Sequence, residues 1–147
     1  GESSAPIQLG GLPAARVLIC YEAIFPRSGD DRAGWILNIT NDAWFGISAG
    51  PHQHFLAARA RALEAGLPLI RAANSGVSAI VDSYGRVTEM LPLNVSGVID
   101  GPLPAPSKTV FRRVGNIPVV VAIALLIAAA AVTRRRFRKT EGVAHAP

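Results

Sequence analysis

The sequence predicts an α/β domain followed by one C-terminal transmembrane helix, and three observations lead to this fold class. Short apolar runs bounded by Gly, Pro, Asp and Asn alternate with a segment rich in helix formers. Half of the 147 residues are hydrophobic, which is enough for one core of ordinary size. Residues 114–132, VGNIPVVVAIALLIAAAAV, carry no charge. The predicted boundaries are a domain over 1–101, a Pro-rich linker over 102–113, a transmembrane helix over 114–133 and a tail over 134–147.

Several apolar runs are expected to form strands. The first three are ARVLICY (15–21), GWILNIT (34–40) and LPLIRAA (67–73). GVSAIVDSYGRVTEML (76–91) predicts a hairpin turning on DSYG, because Asp opens such turns and Gly supplies a positive φ. VSGVID (95–100) predicts one more strand, and PRSGDDRA (26–33) a polar connection or short helix.

The one predicted helix of the domain covers 51–65. Its sequence, PHQHFLAARARALEA, places Phe55, Ala58, Ala62 and Leu63 at spacings that form one apolar face. Gly66 follows directly and is expected to end the helix.

A basic cluster, RRRFRK, follows the uncharged segment and holds five of the fifteen Lys and Arg residues. Such a run is also a motif for nucleic-acid contact, but directly behind an apolar span the positive-inside rule explains it better. The tail is therefore expected to be cytoplasmic and the domain periplasmic. The N-terminal stretch GESSAPIQLGGLP lacks a cleavable signal peptide, so a segment upstream is expected to be missing.

Cys20 is the single cysteine, which excludes an intramolecular disulfide. It ends an apolar run, where a strand would hold its side chain and the next backbone N–H groups could bind an oxyanion. A thiolate there would be a strong nucleophile towards carbonyl carbon. The alternative is that Cys20 is only a small buried hydrophobic residue, and spacing alone does not decide between them.

Three stretches resemble the nitrilase, or carbon–nitrogen hydrolase, superfamily: ICYEAIFP, NITNDAWFG and QHFLAARARALEAGLPLIRAANSGVSAIVDSYGRV. Within it, the NDAWFG loop and the segment TVFRRVGNIP before an apolar span are most similar to the apolipoprotein N-acyltransferase family. The resemblance covers about residues 8–136 and implies part of an α-β-β-α sandwich at a bacterial inner membrane.

The resemblance also implies a two-step acyl transfer without a cofactor. Cys20 would take a fatty acyl chain from a phospholipid as a thioester. The α-amine of a diacylglyceryl-modified N-terminal cysteine on an apolipoprotein would then accept it. Because a thioester also reacts with water, a site lined by apolar groups suits this chemistry.

The family uses a glutamate base and an oxyanion-stabilising lysine, both upstream of the cysteine. Here only Glu2 precedes Cys20 among acidic residues, and Lys108 and Lys139 both follow it. The chain is therefore expected to be the C-terminal part of a longer enzyme and to be inactive alone.

Other residues are assigned expected roles individually. Tyr21 and Glu22 match family positions tied to activity, with the Tyr21 N–H as an oxyanion donor. Glu22 is either a proton-transfer group or a hydrogen-bonded supporting carboxylate. Trp44 and Phe45 are expected to line the substrate pocket rather than the core.

The remaining polar residues near these motifs are less specific. Asn41 and Asp42 either contact substrate or only hold their loop by local hydrogen bonds. Asn74 and Ser75 are expected to contact substrate. His52 and His54 form no metal motif and are treated as structural or substrate-facing. The helix carries Arg59, Arg61 and Glu64, which are expected to form surface ion pairs or to support the cysteine strand.

Two further functions remain open from the sequence. One is a membrane-tethered amidase or nitrilase that passes its acyl group to water. The other is a non-catalytic, membrane-anchored remnant.

Overall fold

The structure, a computed structural model, describes residues 5–25 and 32–143, with the backbone alone at 132 and 135–143. Most of the predicted connection 26–33 and the end of the basic tail lie outside the described residues. The chain divides into two compact units, 1–112 and 113–147, and each is described by itself.

The first unit is built on a five-stranded mixed sheet with the strand order β1-β2-β3-β4-β5. β1, β2 and β3 are parallel, whereas β4 and β5 continue the sheet antiparallel. The crossover connection that a parallel pair of neighbouring strands needs is provided between β2 and β3 by a helix, α1. The strands are β1 (Ala15–Ile19), β2 (Trp35–Asn41), β3 (Leu69–Asn74), β4 (Ser78–Val81) and β5 (Val87–Leu91), and α1 spans Gly50–Ala65.

The core lies between α1 and one face of the sheet. Leu18, Ile36 and Leu69 from the three parallel strands pack in one cluster with Phe55 and Ala58 of α1. The buried positions of α1 are Pro51, His54, Phe55, Ala58 and Ala62. The predicted helix is therefore confirmed, but Leu63 was wrongly placed in its apolar face, because it lies one position beyond this stripe and is 45% exposed.

The opposite face of the parallel strands is apolar but largely uncovered. Ile19 is 53% and Ile39 47% exposed, and Ile70 is half-buried. Successive strand residues point to opposite faces, so these side chains lie away from α1.

Local turn signals are confirmed. Gly66 ends α1 in the left-handed region, with φ of 63°, and its N–H donates to the carbonyls of Ala62 and Leu63. The hairpin turns where DSYG predicts it, because Asp82 Oδ1 accepts from the N–H groups of Tyr84 and Arg86 and Gly85 has φ of 77°.

The predicted strand at 95–100 is wrong. A turn with the Val95 N–H donating to the Pro92 carbonyl, and Asn94 in the left-handed region, breaks the extended path. Residues 92–109 form neither helix nor strand. This segment also contacts α1, because the Ser107 N–H donates to the Gly66 carbonyl at 2.8 Å and Thr109 Oγ1 to the Glu64 carbonyl at 3.3 Å. Ser107 and Thr109 are thus hydrogen-bonded to the last turn of α1 and to the Gly66 that ends it.

The second unit is helical. α2 covers Val110–Val114 at the boundary between the units, and α3 covers Ile117–Val143. The two are separated at Gly115, which has φ of 51°, so the helix predicted to begin at Val114 begins three residues later. Among the described residues, none of the helices has the length and apolar character required for a membrane span. The predicted transmembrane helix is therefore not shown by the structure.

Candidate active site

Cys20 lies where β1 ends, at the carboxyl edge of the parallel strands. It is the first residue of a 3₁₀ turn, Cys20–Ile24, and the residue is half-buried. Its φ of 49° is a left-handed conformation that a non-glycine residue adopts at a cost of about 1–3 kcal/mol. The strand therefore places Cys20 at this edge with a strained backbone conformation, and the residue is not fully buried.

The turn after Cys20 is held by Glu22. Its Oε2 accepts a hydrogen bond of 2.9 Å from the Ile19 N–H, closing the turn around the cysteine. Tyr21 is 56% exposed, with its ring 6.0 Å from Phe25 in an edge-to-face arrangement. The Glu22 contact fits the supporting role that the sequence left open for this carboxylate.

Beneath Cys20 lies a group of buried polar side chains, called here the buried polar cluster: Asn38, Thr40, Asp42, His54 and Arg71. Three of them alternate along β2 and into the following loop, so they point to the α1 side of the sheet. Arg71 reaches the cluster from β3 and His54 from α1.

Arg71 and Asp42 form the central contact of the cluster. Arg71 Nη2 donates to Asp42 Oδ2 at 2.6 Å, and both side chains are fully buried. Burial lowers the pKa of Arg71 from its usual value, and the neighbouring Asp42 carboxylate opposes that shift. Arg71 also donates through Nη1 to Asn38 Oδ1 and through Nε to the Val77 carbonyl. A buried charge with this many partners is satisfied.

Asn38 and His54 connect this ion pair to the backbone around Cys20. Asn38 Nδ2 donates to the Leu18 carbonyl at 2.9 Å. His54 Nδ1 lies 2.9 Å from Asp42 Oδ1, and its Nε2 lies 3.2 Å from the Cys20 carbonyl oxygen. The cluster is thereby hydrogen-bonded to two carbonyls of the segment that carries the thiol.

The loops after β2 and β3 are joined at the same edge. Asn41 Oδ1 accepts from the Ala43 N–H and from Asn74 Nδ2, each at 3.1 Å. Ser75 is exposed, with φ of 56°. Gly76 lies so close to Asp42 that an added Cβ would clash with the carboxylate. Asn41 thus holds its loop locally, whereas Asp42 belongs to the buried polar cluster.

Residues 43–49, called here the Trp44 loop, present apolar side chains to solvent. Trp44 is 87% and Ile47 95% exposed. Phe45 is half-buried, with its ring 5.7 Å from that of His54. Neither aromatic residue is part of the hydrophobic core, as expected from the sequence, while contact with a substrate stays a prediction.

The charged residues of α1 divide between two roles. Arg61 pairs with Glu64 at 2.9 Å on the helix surface, as expected. Arg59 instead donates twice to the Gly85 carbonyl, at 3.0 and 2.7 Å, so it fixes the hairpin and not the cysteine strand. His52 is exposed, unlike His54. The described part of the chain shows no group of three or more His, Cys, Asp or Glu placed to hold a metal ion.

Sequence reasoning missed Asn38, Thr40 and Arg71 as parts of the site. One signal was present, because Asn38, Thr40 and Asp42 alternate along a strand that is otherwise apolar. A second signal was Arg71, which is the one charged residue in the run LPLIRAA. Each such residue needs a buried partner, but the sequence does not say which one.

The fold and site define an α/β protein with a free, half-buried cysteine at the edge of a mixed sheet. The family model for carbon–nitrogen hydrolases matches residues 1–113, and the chain belongs to this family.

Two curated relatives carry the name apolipoprotein N-acyltransferase. The protein of Rhodopseudomonas palustris is 54% identical over 125 residues, covering 82% of this chain and 23% of the relative. That of Bradyrhizobium diazoefficiens is 50% identical over 137 residues, covering 90% and 25%. The chain thus spans about a quarter of their length.

Solved structures have the same fold. An amidase from Nesterenkonia sp. AN1 aligns with 25% identity and a TM-score of 0.50, covering 63% of this chain and 40% of the amidase. A CN-hydrolase superfamily protein from Xanthomonas campestris aligns at 21% identity with a TM-score of 0.51, covering 62% and 40%. The latter supports the fold alone.

Proposed function

We propose that this chain is the nucleophile-bearing part of an N-acyltransferase that completes apolipoproteins. In this proposal a fatty acyl chain passes from a phospholipid to Cys20 and then to the N-terminal diacylglyceryl-cysteine of the acceptor. The observation that carries it is the partly exposed Cys20, held in a left-handed conformation at the end of β1. The two relatives at 50% identity or more, both named apolipoprotein N-acyltransferase, support the choice of reaction.

The proposed acyl transfer has two steps. The Cys20 thiolate attacks the ester carbonyl, forming the C–S bond and expelling a lysophospholipid, whose oxygen takes a proton. The acceptor α-amine then attacks the thioester, forming the amide, while the Cys20 sulfur leaves and the amine loses a proton. A thioester suits this route because it reacts readily with an amine.

The proton transfers need a base, and in this proposal the base is not a residue of this chain. Glu22 is engaged with the Ile19 N–H, which favours a supporting role. The family resemblance places the glutamate base and the oxyanion-stabilising lysine upstream of Cys20, and the Tyr21 N–H would be a further oxyanion donor. We therefore expect no acyl transfer by residues 1–147 alone.

In this proposal, the second sheet of the sandwich also comes from the part of the enzyme that holds the upstream glutamate and lysine. Ile19, Ile39 and Ile70 form an apolar sheet surface that α1 does not cover. Sheets with two apolar faces are normally covered on both sides. Since the relatives are about four times longer, a second sheet from the complete enzyme is the occupant we propose for this surface.

Substrate contact is assigned to the loops at the strand edge. Trp44 and Phe45 supply apolar surface for an acyl chain, and Tyr21 extends that surface beside Cys20. Asn41, Asn74 and Ser75 line the loops after β2 and β3 and are proposed to contact the polar part of a substrate. Asp42 is not available in this role, because its carboxylate is buried against Arg71 and His54.

The proposed location is the bacterial inner membrane, with the domain periplasmic and the basic tail cytoplasmic. It is based on the uncharged sequence 114–132 and the RRRFRK cluster behind it, and not on the described helices. A reporter after Pro147 should then read cytoplasmic, and one inserted between Pro102 and Ser107 periplasmic. The reverse orientation would contradict this location.

The acyl-transfer proposal is tested in the complete enzyme with phospholipid and a diacylglyceryl peptide. Mass spectrometry should detect an acyl thioester on Cys20 and then the N-acylated peptide. Cys20→Ala should form neither, and Cys20→Ser should be severely impaired, because its hydroxyl is far less ionised near neutral pH. Normal acylation by the alanine variant would refute the assignment. Turnover by residues 1–147 alone would show that a residue of this chain acts as the base, and Glu22 would be the first candidate.

A second candidate is an amidase that passes the acyl group to water, favoured by the structural likeness to the Nesterenkonia amidase. Turnover of a soluble amide without phospholipid would support it over acyl transfer. If neither reaction depends on Cys20 in the complete enzyme, the non-catalytic alternative stands.

A further inference from the structure

His54 is a member of the buried polar cluster whose ring reaches the backbone of Cys20 itself. It lies in the first turns of α1 and is 4% exposed. Its two ring nitrogens face two different oxygens, Asp42 Oδ1 at 2.9 Å and the Cys20 carbonyl oxygen at 3.2 Å. The proposed reaction assigns no step to this ring.

The partner of Nε2 fixes its protonation. A carbonyl oxygen only accepts, so the contact with Cys20 requires a proton on Nε2. Nδ1 has both Asp42 Oδ1 and Arg71 Nη2 as neighbours, at 2.9 and 3.3 Å. A proton on Nε2 is compatible both with a second proton on Nδ1, donated to Asp42, and with an Nδ1 that accepts from Arg71.

The conformation of Cys20 explains why its carbonyl needs a donor. A non-glycine residue persists in the left-handed region only when its surroundings hold it there. Asn38 binds the Leu18 carbonyl, Glu22 binds the Ile19 N–H, and His54 binds the Cys20 carbonyl. Three consecutive residues are thus held by side chains, with His54 acting on the strained one.

We propose that His54 is a positioning residue for the nucleophile. Its Nε2–H binds the Cys20 carbonyl and holds the turn that presents the thiol, while Nδ1 connects the ring to the Asp42–Arg71 ion pair. The inference rests on the proposed role of Cys20 as nucleophile. It adds a residue of α1 that acts on the reacting group through the backbone.

Two substitutions separate the two hydrogen bonds of the ring. His54→Gln places an amide nitrogen near the position of Nε2, so the bond to the Cys20 carbonyl can be kept. His54→Asn places one near Nδ1, so the bond to Asp42 is kept and that to Cys20 is lost. His52→Asn is the matched control, because His52 is exposed on the same helix two residues earlier.

The bond is observed directly by labelling the chain with ¹³C at the cysteine carbonyl, since the sequence has one cysteine. We expect the single carbonyl resonance to move in His54→Asn, to lie near that of the wild type in His54→Gln and to be unchanged in His52→Asn. In the wild type, ¹⁵N-histidine labelling should reveal a coupling between Nε2 and that carbonyl. This measurement needs no variant, so it remains decisive if His54→Asn does not fold.

Kinetics in the complete enzyme test the consequence. His54→Asn should lower the rate of thioester formation about tenfold with KM unchanged, and His54→Gln should recover most of it. The inference would be overturned if the wild type showed no coupling between Nε2 and the Cys20 carbonyl. It would also be overturned if His54→Gln lost as much of the rate of thioester formation as His54→Asn. If the wild type forms no thioester while the coupling is present, the acyl-transfer proposal fails and the hydrogen bond stands.

Discussion

Asp42 and Trp44 are two residues apart, but the regions to which they belong are built in opposite ways. In the buried polar cluster, Asp42 is 1% and Arg71 2% exposed, and each has several hydrogen-bond partners. In the Trp44 loop, the indole is 87% exposed. The comparison separates two kinds of environment at one strand edge, because side chains of the cluster hold the backbone around Cys20, whereas the loop is proposed to offer apolar surface to a substrate.

The largest expected effect is the loss of the central charge of the cluster. Asp42→Asn keeps the shape but leaves Arg71 buried without its carboxylate, which should lower the free energy of unfolding by about 3–5 kcal/mol. Denaturant unfolding of the chain measures it. Glu64→Gln is the matched control, because it breaks the partly exposed pair with Arg61 and should cost about 1 kcal/mol or less. Equal losses in the two variants would show that burial does not distinguish the two ion pairs.

The second effect comes from the backbone that closes the cluster. Gly76→Ala places a methyl group against the Asp42 carboxylate, and we expect a loss of about 1–3 kcal/mol in unfolding free energy. Gly97→Ala is the control, because the atoms nearest to its Cβ would belong to the flexible Leu91 side chain, the nearest a methyl carbon at 3.2 Å that can move aside. A stable Gly76→Ala chain would mean that the cluster tolerates displacement of Asp42.

The sequence predicts the features that depend on neighbouring residues. The presence of a strand leading to Cys20, the stop of α1 at Gly66 and the turn at Asp82 are all set by residues within a few positions of one another, although β1 ends at Ile19, two residues before the predicted end at Tyr21. The missed features depend on distant contacts. Arg71 meets Asp42 across 29 positions, and no local pattern gives that pairing. The strand predicted at 95–100 failed for the related reason that apolar character alone does not supply a pairing partner.

The same distinction applies to the candidate site. Cys20 could be predicted as the candidate nucleophile from the family resemblance, and Trp44 could be predicted to lie outside the core, because its loop is bounded by glycine. The role of His54 could not, because the sequence shows two similar histidines in PHQHF and only the fold buries one of them. The residues proposed to meet a substrate were therefore predicted more readily than the buried residues that contact them.

A smaller effect should follow from the strain at Cys20 itself. Cys20→Gly and Cys20→Ala both remove the thiol, but glycine adopts a positive φ without steric cost. The glycine variant should therefore unfold with a free energy about 1 kcal/mol higher than that of the alanine variant. Thermal or denaturant unfolding of the two chains tests this. If alanine is the more stable, the left-handed conformation carries no strain, and the cluster is not required to hold it.

The smallest effect on stability is expected in the Trp44 loop. Trp44→Ala removes a large apolar side chain that is 87% exposed, so the unfolding free energy should change by less than about 0.5 kcal/mol. In the complete enzyme, the same change should raise KM for the phospholipid donor, because the proposed apolar surface for its acyl chain is lost. Leu56→Ala, 55% exposed on α1, is the control and should leave KM unchanged. A destabilised Trp44→Ala chain with normal KM would place Trp44 with the cluster as a structural residue and remove the distinction between the two regions.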